Sequence, residues 1–531
     1  MRDAGADRPQ PVLWGSPWPL LLGVWSVAFA LRFLHNEALL ADPLYFNPLG
    51  GNLPFLEMAR EIARGDLVPG DGPFTINGPL YPYFLALLYG LFGTDAFYEV
   101  RLVGAGLDAC TCAMVAHVAR AHFGRIGGWA AGVSLALYGP MIFFATDLNP
   151  VPLTLFLLTA AIVLLDGPAT WPRFGAAGLA LGLAAGTRPD VVLAGGLAVL
   201  VPYVRRMAHP RRLAAACAAG VALGVAPVTA LNWATSGRPV LLTTSGGHNF
   251  YIGHNPAAQP QYALPALLDG DIFASMKALA ENVEGRPFSD AEVSGYYLRE
   301  GLAHFRDDPA RELELFGMRA LLLVNDFEAT TYSNYDYQRH YSLVLGWAPT
   351  LSLLLLLGAP GAIVLFDRRY AHLWIPLLTA ALTVLAFFYI ARLRITVAPS
   401  LGLFVGASAA AAATLVRRRA WRPLAVAASV GLVAFGVSSL PLLRSDTSNE
   451  WNKAGGVLRL LGRHGEAETA LQRAVGANPS NANTFRNLAV LYTEMGRLEE
   501  ARAAEARAAA MLDPQRAEAD AFRDALGAGP R

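Results

Sequence analysis

The sequence predicts an α-helical membrane protein that crosses the bilayer many times and ends in a polar helical tail. Of its 531 residues, 54% are hydrophobic and only 16% are charged, which is too apolar for one soluble core. Apolar runs near the 20-residue spanning length recur along the first 444 residues. After residue 445 the composition becomes polar and rich in Ala, Arg and Glu. The chain therefore divides into a membrane part, 1–444, and a tail, 445–531.

The clearest apolar runs give the predicted membrane-spanning helices. The first run leads into a loop without a small-residue cleavage site, so we expect no cleaved signal peptide. All three cysteines lie inside apolar segments, which indicates neither a disulfide framework nor a metal cluster. The runs cover residues 18–34, 127–144, 151–165, 213–231, 343–365 and 424–443.

Arginines between the apolar runs predict the orientation. The positive-inside rule places Arg-rich links in the cytoplasm. Here the links contain 13 arginines and only two acids, Asp166 and Asp367. About eleven spans then fit, including a short pair around residues 186–190. The first loop (35–99), the middle segment (234–340) and the tail all fall outside. The 13 arginines are Arg120, Arg125, Arg173, Arg205, Arg206, Arg211, Arg212, Arg368, Arg369, Arg417, Arg418, Arg419 and Arg422.

Three external segments are predicted to be helices at the membrane surface. Residues 55–63 place Phe55, Met58, Ala59 and Ile62 on one helical face and charged residues elsewhere. Residues 79–92 form an aromatic-rich companion. Residues 308–328 begin with Asp-Pro and mix charged with apolar side chains, which favours docking on the membrane.

The tail contains a loose tandem repeat. Gly462 and Gly496 each precede an arginine and lie 34 residues apart, and Pro479 and Pro514 close the two units. A 34-residue period of this kind resembles tetratricopeptide repeats, with a final helix at 515–526. Two repeats bury little surface, so the tail is expected to pack on the membrane part or to bind a protein partner.

The order of the motifs resembles one superfamily. The segments GPLYPYFLALLYGLFG (78–93), YGPMIFFATDLNPVPL (138–153), GTRPD (186–190), GGHNFYIGHNP (246–256) and ARLRITVAP (391–399) follow one another in the chain. Together they resemble the GT-C superfamily of membrane glycosyltransferases. The nearest branch is the bacterial one similar to protein mannosyltransferases, with C-terminal tetratricopeptide repeats.

The resemblance implies a location and an activity. The protein would lie in the bacterial inner (plasma) membrane with a periplasmic C-terminus. It would transfer a sugar from a polyprenyl-phosphate or polyprenyl-diphosphate donor to a periplasmic glycan, lipid or protein acceptor. Such transfer needs a carboxylate for the acceptor proton and cations for the departing phosphate. The net charge of +1 gives no reason to expect a nucleic-acid partner.

Three arginines are candidates for binding the donor phosphate. Arg188, Arg392 and Arg394 fall on the external side at membrane depth, where arginine is costly and normally serves a polar pathway. The alternative is that they snorkel to the interface or pair with acids such as Asp190.

The catalytic carboxylate is less obvious. The resemblance implies an acid just before the first interfacial helix, and this chain has Gly51 and Asn52 there. Asp42 could serve instead, or initiate a turn before Pro43. Glu57 is a further candidate, or simply a solvated residue of the helix.

A second acidic position and a sugar-binding loop complete the candidates. Asp147 matches the family's second acidic position, or caps the helix that follows it. His248, Asn249, Tyr251 and Asn255 could contact a sugar, or belong to a purely structural loop. His248 and His254 lack zinc spacing, and no cofactor is predicted. A divalent cation between two loop acids, as in some relatives, stays open.

Two other functions compete with an active enzyme. The Gly50-Gly51-Asn52 turn favours a catalytically degenerate relative that acts as a binding or assembly module through its tail. A transporter or polymer ligase would share the hydropathy, but it would show duplicated halves, and none are evident.

Overall fold

The computed structural model describes residues 16–47, 52–68, 78–263, 272–329 and 333–527, and these are almost entirely helical. One β-bridge, between Gln261 and Tyr389, links the middle segment to the membrane part. Gly50 and Gly51 of the predicted turn lie outside the described residues. Asn52, which follows them, is described.

Among the described residues, nine α-helices precede the middle segment. They are α1 (Trp18–Leu39), α2 (Leu53–Ala63), α3 (Leu80–Phe92), α4 (Phe97–Leu137), α5 (Gly139–Ala145), α6 (Val151–Asp166), α7 (Trp171–Thr187), α8 (Val192–Val204) and α9 (Pro210–Ser236). A 3-10 helix at Pro189–Val191 joins α7 to α8.

The middle segment is helical, and further helices of the membrane part follow it. The segment holds α10 (Gly246–Gly253), α11 (Ile272–Glu284), α12 (Asp290–Asp307), α13 (Pro309–Leu323) and α14 (Tyr335–Arg339). The second set is α15 (Leu343–Trp347), α16 (Leu351–Val364), α17 (Ile375–Ala386), α18 (Ala391–Arg394), α19 (Ala398–Arg417) and α20 (Trp421–Ser438), with 3-10 helices at Arg368–Trp374 and Ile395–Val397.

Six stretches of the described chain are long and apolar enough to cross a membrane, so the protein is a membrane protein. Four shorter apolar helices, α3, α6, α16 and the Pro189–Val204 stretch, accompany them. The predicted count of about eleven spans stays a prediction. The six are Trp18–Leu39, Phe97–Leu137, Pro210–Ser236, Arg368–Ala386, Ala391–Arg417 and Trp421–Ser438.

Helix α4 is divided into two arms at Gly124. This glycine has φ +70°, a conformation that other residues rarely adopt. The arms on either side pack together, since a Cβ built on Gly132 would lie 2.8 Å from the Cβ of Ala116. The chain therefore folds back within the link that carries Arg120 and Arg125.

Proline separates helices at two places in the predicted spans, as expected within the pair around GTRPD and unexpectedly within the run 343–365. Arg188 is extended (φ −144°, ψ 111°) before Pro189, so the helical pair around GTRPD separates there. The run 343–365, in contrast to the prediction, is not one helix, because Ala348 is extended before Pro349 and α15 ends. The carbonyl of Pro349 instead accepts a hydrogen bond from the Gly139 amide at 2.9 Å.

The amphipathic prediction for residues 55–63 matches α2. Phe55, Ala59 and Ile62 are buried, and Glu57 is exposed. The buried face packs against α3 and the start of α4, including Tyr81, whose ring centroid lies 5.3 Å from that of Phe55. Helix α2 thus forms part of the end of the helical bundle that is predicted to be external. The predicted helix within 308–328 is α13, whose first turn is capped by the Asp308 side chain.

The tail forms two successive helical pairs. They comprise α21 (Ser448–Leu460) with α22 (His464–Ala477), and α23 (Ala482–Glu494) with α24 (Leu498–Gly527). The second pair begins 34 residues after the first, and Gly462 and Gly496 adopt the same turn, with φ +73° and +74°. The period is therefore structural, although α24 runs past Pro514 as one helix. Assignment to the tetratricopeptide family stays a prediction.

Candidate active site

A cavity at the end of the bundle that is predicted to be external is lined by polar side chains from distant parts of the chain. Its volume is about 50 Å³. Asp42 follows α1, Asn52 precedes α2, Arg101 lies on α4 and Asp147 lies in the turn between α5 and α6. Residues of α14 and of the tail helix α21 complete the wall, namely Tyr337, Gln338, Glu450 and Lys453. We call this space the outer cavity.

Asp42 is held through one carboxylate oxygen. Its Oδ1 accepts hydrogen bonds from the Leu44 amide at 2.9 Å and from the Tyr337 hydroxyl at 2.8 Å. The first bond realises the turn that the Asp-Pro sequence predicts. Among the described residues, none donates a hydrogen bond to Oδ2. Burial raises the pKa of Asp42, and the bonds from Leu44 and Tyr337 and the charge of Arg101 oppose that rise.

Asp147 is held through both oxygens. Oδ1 accepts from the Asn52 side-chain amide and from the Leu148 backbone amide, each at 3.1 Å, and Oδ2 accepts from Asn149 Nδ2 at 2.9 Å. Asn149, rather than Asp147, bonds to the first helical amide of α6, that of Val151, at 2.8 Å. The capping role considered for Asp147 therefore belongs to Asn149.

Asn52 lies opposite Asp147. It stands where the sequence resemblance implies a carboxylate, and its side-chain amide bonds to Asp147. Its carbonyl Oδ1 is buried without a hydrogen-bond partner among the described residues. The N–H group of Asn52 thus neutralises part of the Asp147 charge, as a proton or a cation would between two acids.

Arg101 supplies positive charge between the two aspartates. Its Nε donates to the Thr146 carbonyl at 2.9 Å, one terminal nitrogen donates to the Tyr45 carbonyl at 3.0 Å, and its guanidinium lies 3.9 Å from the centre of the Tyr45 ring. Sequence reasoning missed it. An arginine within the first turns of an apolar helix was the available signal.

The three phosphate candidates separate into two sites, neither of which lines the outer cavity. Arg188 pairs with Asp190 at 2.8 Å and donates to the Thr396 hydroxyl at 3.3 Å. Arg392 is close enough to Arg188 and Asp190 for electrostatic interaction. These two arginines form one basic group.

Arg394 belongs to the second of these sites. It is 1% exposed, forms an ion pair with Glu328 and donates to the Asn325 carbonyl. Burial raises the pKa of Glu328 to about 7, although Arg394 opposes the rise. Arg188 and Arg394 are therefore paired with acids, which is one of the alternatives considered from the sequence. Their role in phosphate binding stays a prediction.

The predicted sugar-binding residues of the middle segment lie in and beside an aromatic cluster. The His248 ring lies 5.4 Å from the Tyr297 ring, and Tyr251 lies 5.1 Å from Tyr297. Burial lowers the pKa of His248 to about 4. Asn255 donates to the Tyr251 carbonyl at 2.9 Å and accepts from the Ala257 amide at 2.9 Å, so it shapes the local turn.

The remaining predicted residues are more exposed. Asn249 is half-buried, and Glu57 is exposed on α2. Neither lies among the residues that line the outer cavity. Among the described residues, His122, Asp166 and His372 form a metal-like group, in which both histidines contact the same oxygen of Asp166, at 2.6 and 2.9 Å. Hydrogen bonding accounts for this contact geometry without an ion.

No protein-family model and no curated protein matches the chain. Among solved structures, the chain is similar to ArnT from Cupriavidus metallidurans, both bound to undecaprenyl phosphate and in the apo state. The TM-score is 0.35 and the identity 17% in each case. The similarity covers 75% and 76% of this chain and 79% of ArnT. At this level the outer cavity has to be interpreted from its own residues.

Proposed function

We propose that this protein is a membrane glycosyltransferase that moves a sugar from a polyprenyl-phosphate-linked donor to an acceptor on the periplasmic side. The observation that carries the proposal is the convergence of Asp42 and Asp147, with Arg101 beside them, in one cavity of a membrane protein. The donor class comes from the sequence resemblance. The phosphate-binding and acceptor-binding roles below belong to the same proposal.

Asp42 is the proposed general base. Its Oδ2, which receives no hydrogen bond from the described residues, accepts the proton of the acceptor hydroxyl. At the same time the acceptor oxygen bonds to the sugar's anomeric carbon. The bond from that carbon to the phosphate oxygen breaks, and polyprenyl phosphate leaves with the electron pair. A pKa raised by burial suits Asp42 to this role, because a general base works best with a pKa near the ambient pH.

Asp147 and the arginines have supporting roles in the proposal. Both oxygens of Asp147 are engaged, so it fixes Asn52, which precedes α2, and the turn between α5 and α6. Arg188 and Arg392 are the proposed contacts of the departing phosphate, since guanidinium groups bind phosphate through two parallel hydrogen bonds. They lie outside the outer cavity, so the proposal requires the donor to span from this basic group to the cavity.

The experiment is a transfer assay with the full chain. Purified protein in lipid nanodiscs is incubated with a panel of radiolabelled polyprenyl-phosphate sugars and a periplasmic extract as acceptor. We expect one donor to label an acceptor in a reaction that depends on the protein. The absence of transfer from every donor, together with no binding of undecaprenyl phosphate, would rule the proposal out.

The competing function is a degenerate relative that acts as a binding or assembly module. Asn52 favours it, because the position implied to hold an acid carries an amide that is hydrogen-bonded to Asp147. In that case the protein would bind undecaprenyl phosphate or a partner without any transfer. The same assay separates the two functions.

A further inference from the structure

The tail closes the outer cavity. Tail helix α21 contributes Glu450 and Lys453 to the wall that also contains Asp42 and Asp147. The Lys453 ammonium lies 4.0 Å from Glu450 Oε1, and the Glu450 side chain is only 12% exposed. A carboxylate and an ammonium of the tail therefore face the two aspartates of the membrane part.

A ring cluster fixes α21 in this position. Trp451 is buried against α14, with its ring 4.8 Å from that of Tyr337 and 5.1 Å from that of His340. Arg473 of α22 lies 4.7 Å from the Trp451 ring centre and contacts His340 at 2.7 Å. Such aromatic and cation–π contacts contribute beyond simple area burial.

The same cluster reaches Asp42. Tyr337, against which Trp451 packs, donates its hydroxyl hydrogen to Asp42 Oδ1 at 2.8 Å. The linker before α21 is attached to the same region, because Asn334 Nδ2 donates to the Asp446 carbonyl at 3.1 Å. The tail thus supports the residue that holds the proposed base.

The cavity is too small for a sugar acceptor, so this wall must move if an acceptor enters. Pockets that bind small molecules typically have volumes of roughly 300–1,000 Å³. The outer cavity, at about 50 Å³, has room only for a few water molecules. The walls formed by α1, α4 and the α5–α6 turn belong to the helical bundle, whereas α21 is joined to it by a linker without helical structure, Ser439 to Thr447.

We propose that the tail is a movable wall of the active site, and that Glu450 and Lys453 are the residues that recognise a hydroxyl-rich acceptor when it enters. The movement of the wall and the acceptor role rest on the proposed glycosyltransferase activity, whereas the closure of the cavity by the tail does not. Glu450 accepts hydrogen bonds from acceptor hydroxyls, and Lys453 donates to acceptor oxygens. Burial raises the pKa of Glu450 to about 7, with Lys453 opposing the rise and Asp446 and Asp42 adding to it.

Carboxyl labelling tests the closure without any need for activity. The full chain in detergent is treated with a water-soluble carbodiimide and glycine ethyl ester, and the labelling of each acid is measured by mass spectrometry. In Trp451→Ala we expect the labelling of Asp42 and Asp147 to rise several-fold. Exposed Glu57 provides the internal standard, and its labelling should stay constant. Unchanged labelling of both aspartates would overturn the closure.

Acceptor kinetics test the recognition. For Glu450→Gln we expect kcat/KM for the acceptor to fall roughly 10- to 100-fold through KM, as for the loss of a charged hydrogen bond. In wild type the acceptor KM should change with pH near 7, and this pH dependence should be absent in Glu450→Gln. KM for the donor should stay unchanged.

The matched control for the kinetics is Glu505→Gln. It makes the same substitution at an exposed position of α24 and should behave as wild type. An active wild type with identical acceptor KM in Glu450→Gln would refute the recognition role. An inactive wild type would instead refute the glycosyltransferase proposal, and the labelling result would still decide the closure.

Discussion

The two aspartates of the outer cavity differ in how firmly they are held. Asp42 receives both of its hydrogen bonds on one oxygen, whereas Asp147 is fixed through both oxygens by Asn52, Leu148 and Asn149. A carboxylate with an available oxygen can accept a proton. One that is fully engaged serves better to position its neighbours.

We therefore expect Asp42→Asn to slow transfer more than Asp147→Asn. The loss at Asp42 should be about 10²- to 10⁴-fold, the usual contribution of a general base. Initial rates in membranes that contain equal amounts of folded protein measure the difference. Equal rates for both variants and wild type would show that the base lies elsewhere.

The Asn52→Asp variant places two carboxylates side by side. Since Asn52 Nδ2 lies 3.1 Å from Asp147 Oδ1, the new acid would share a proton or bind a divalent cation. We expect a Tm lower than wild type at pH 8 in EDTA, with recovery at pH 5 or on addition of Mg²⁺ or Ca²⁺.

Asn52→Ala is the control for this variant. It loses the same hydrogen bond but gains no charge, so its Tm should not respond to these ions. A gain of transfer activity in Asn52→Asp over an inactive wild type would establish the degenerate-relative interpretation. If the Tm of Asn52→Asp changed with neither pH nor divalent ions, the two carboxylates would not lie side by side as expected.

Sequence reasoning named the two aspartates that line the outer cavity but not their neighbours. Asp42 and Asp147 could be named because the predicted topology places each after an apolar run on the external side. Tyr337 and Glu450 could not, because they reach Asp42 across about 300 and 400 residues of chain. No local pattern encodes contacts at that separation.

At the scale of single elements, local backbone chemistry was predictable. The extended residue before Pro189 separates α7 from α8, and Gly462 and Gly496 form equivalent turns, as their sequence context indicates. The break before Pro349 was missed, because hydropathy alone does not register a proline within an apolar run. The final helix was predicted as a separate unit, whereas α24 is continuous.

The ion pair between Arg394 and Glu328 allows a direct prediction. Both side chains are buried, so Arg394→Ala leaves an isolated acid and should cost about 3–5 kcal/mol of stability. The double variant Arg394→Met/Glu328→Gln should recover most of the lost stability. Thermal unfolding in detergent measures the difference.

The double variant also separates folding from phosphate binding. If Arg394 contacts the donor, the stable double variant should still use a polyprenyl-phosphate sugar poorly. In that case the single variant should also lose roughly 2–4 kcal/mol of transition-state stabilisation, as expected for the loss of a preorganised hydrogen-bond donor. A stable double variant with wild-type donor kinetics would assign Arg394 to structure alone.

At the scale of the whole molecule, the proposal depends on orientation. The Arg-rich links are predicted to be cytoplasmic, which places the outer cavity and the tail in the periplasm. Alkaline phosphatase fused after Arg531 should be active, and a cytoplasmic reporter at the same position should not. The opposite result would place the cavity on the wrong side for the proposed donor and acceptor.

The docking of Trp451 on Tyr337 also concerns the order in which the protein is made. Membrane insertion proceeds from the N-terminus, so Asp42, Asn52, Arg101 and Asp147 are in place long before the ribosome reaches the tail. The part of the cavity wall that the tail provides is added only after helix α20 has been synthesised and the tail has reached the same side. A nascent or truncated chain would therefore hold its aspartates in an open, water-filled cleft, and the completed cavity would be a late product of biogenesis.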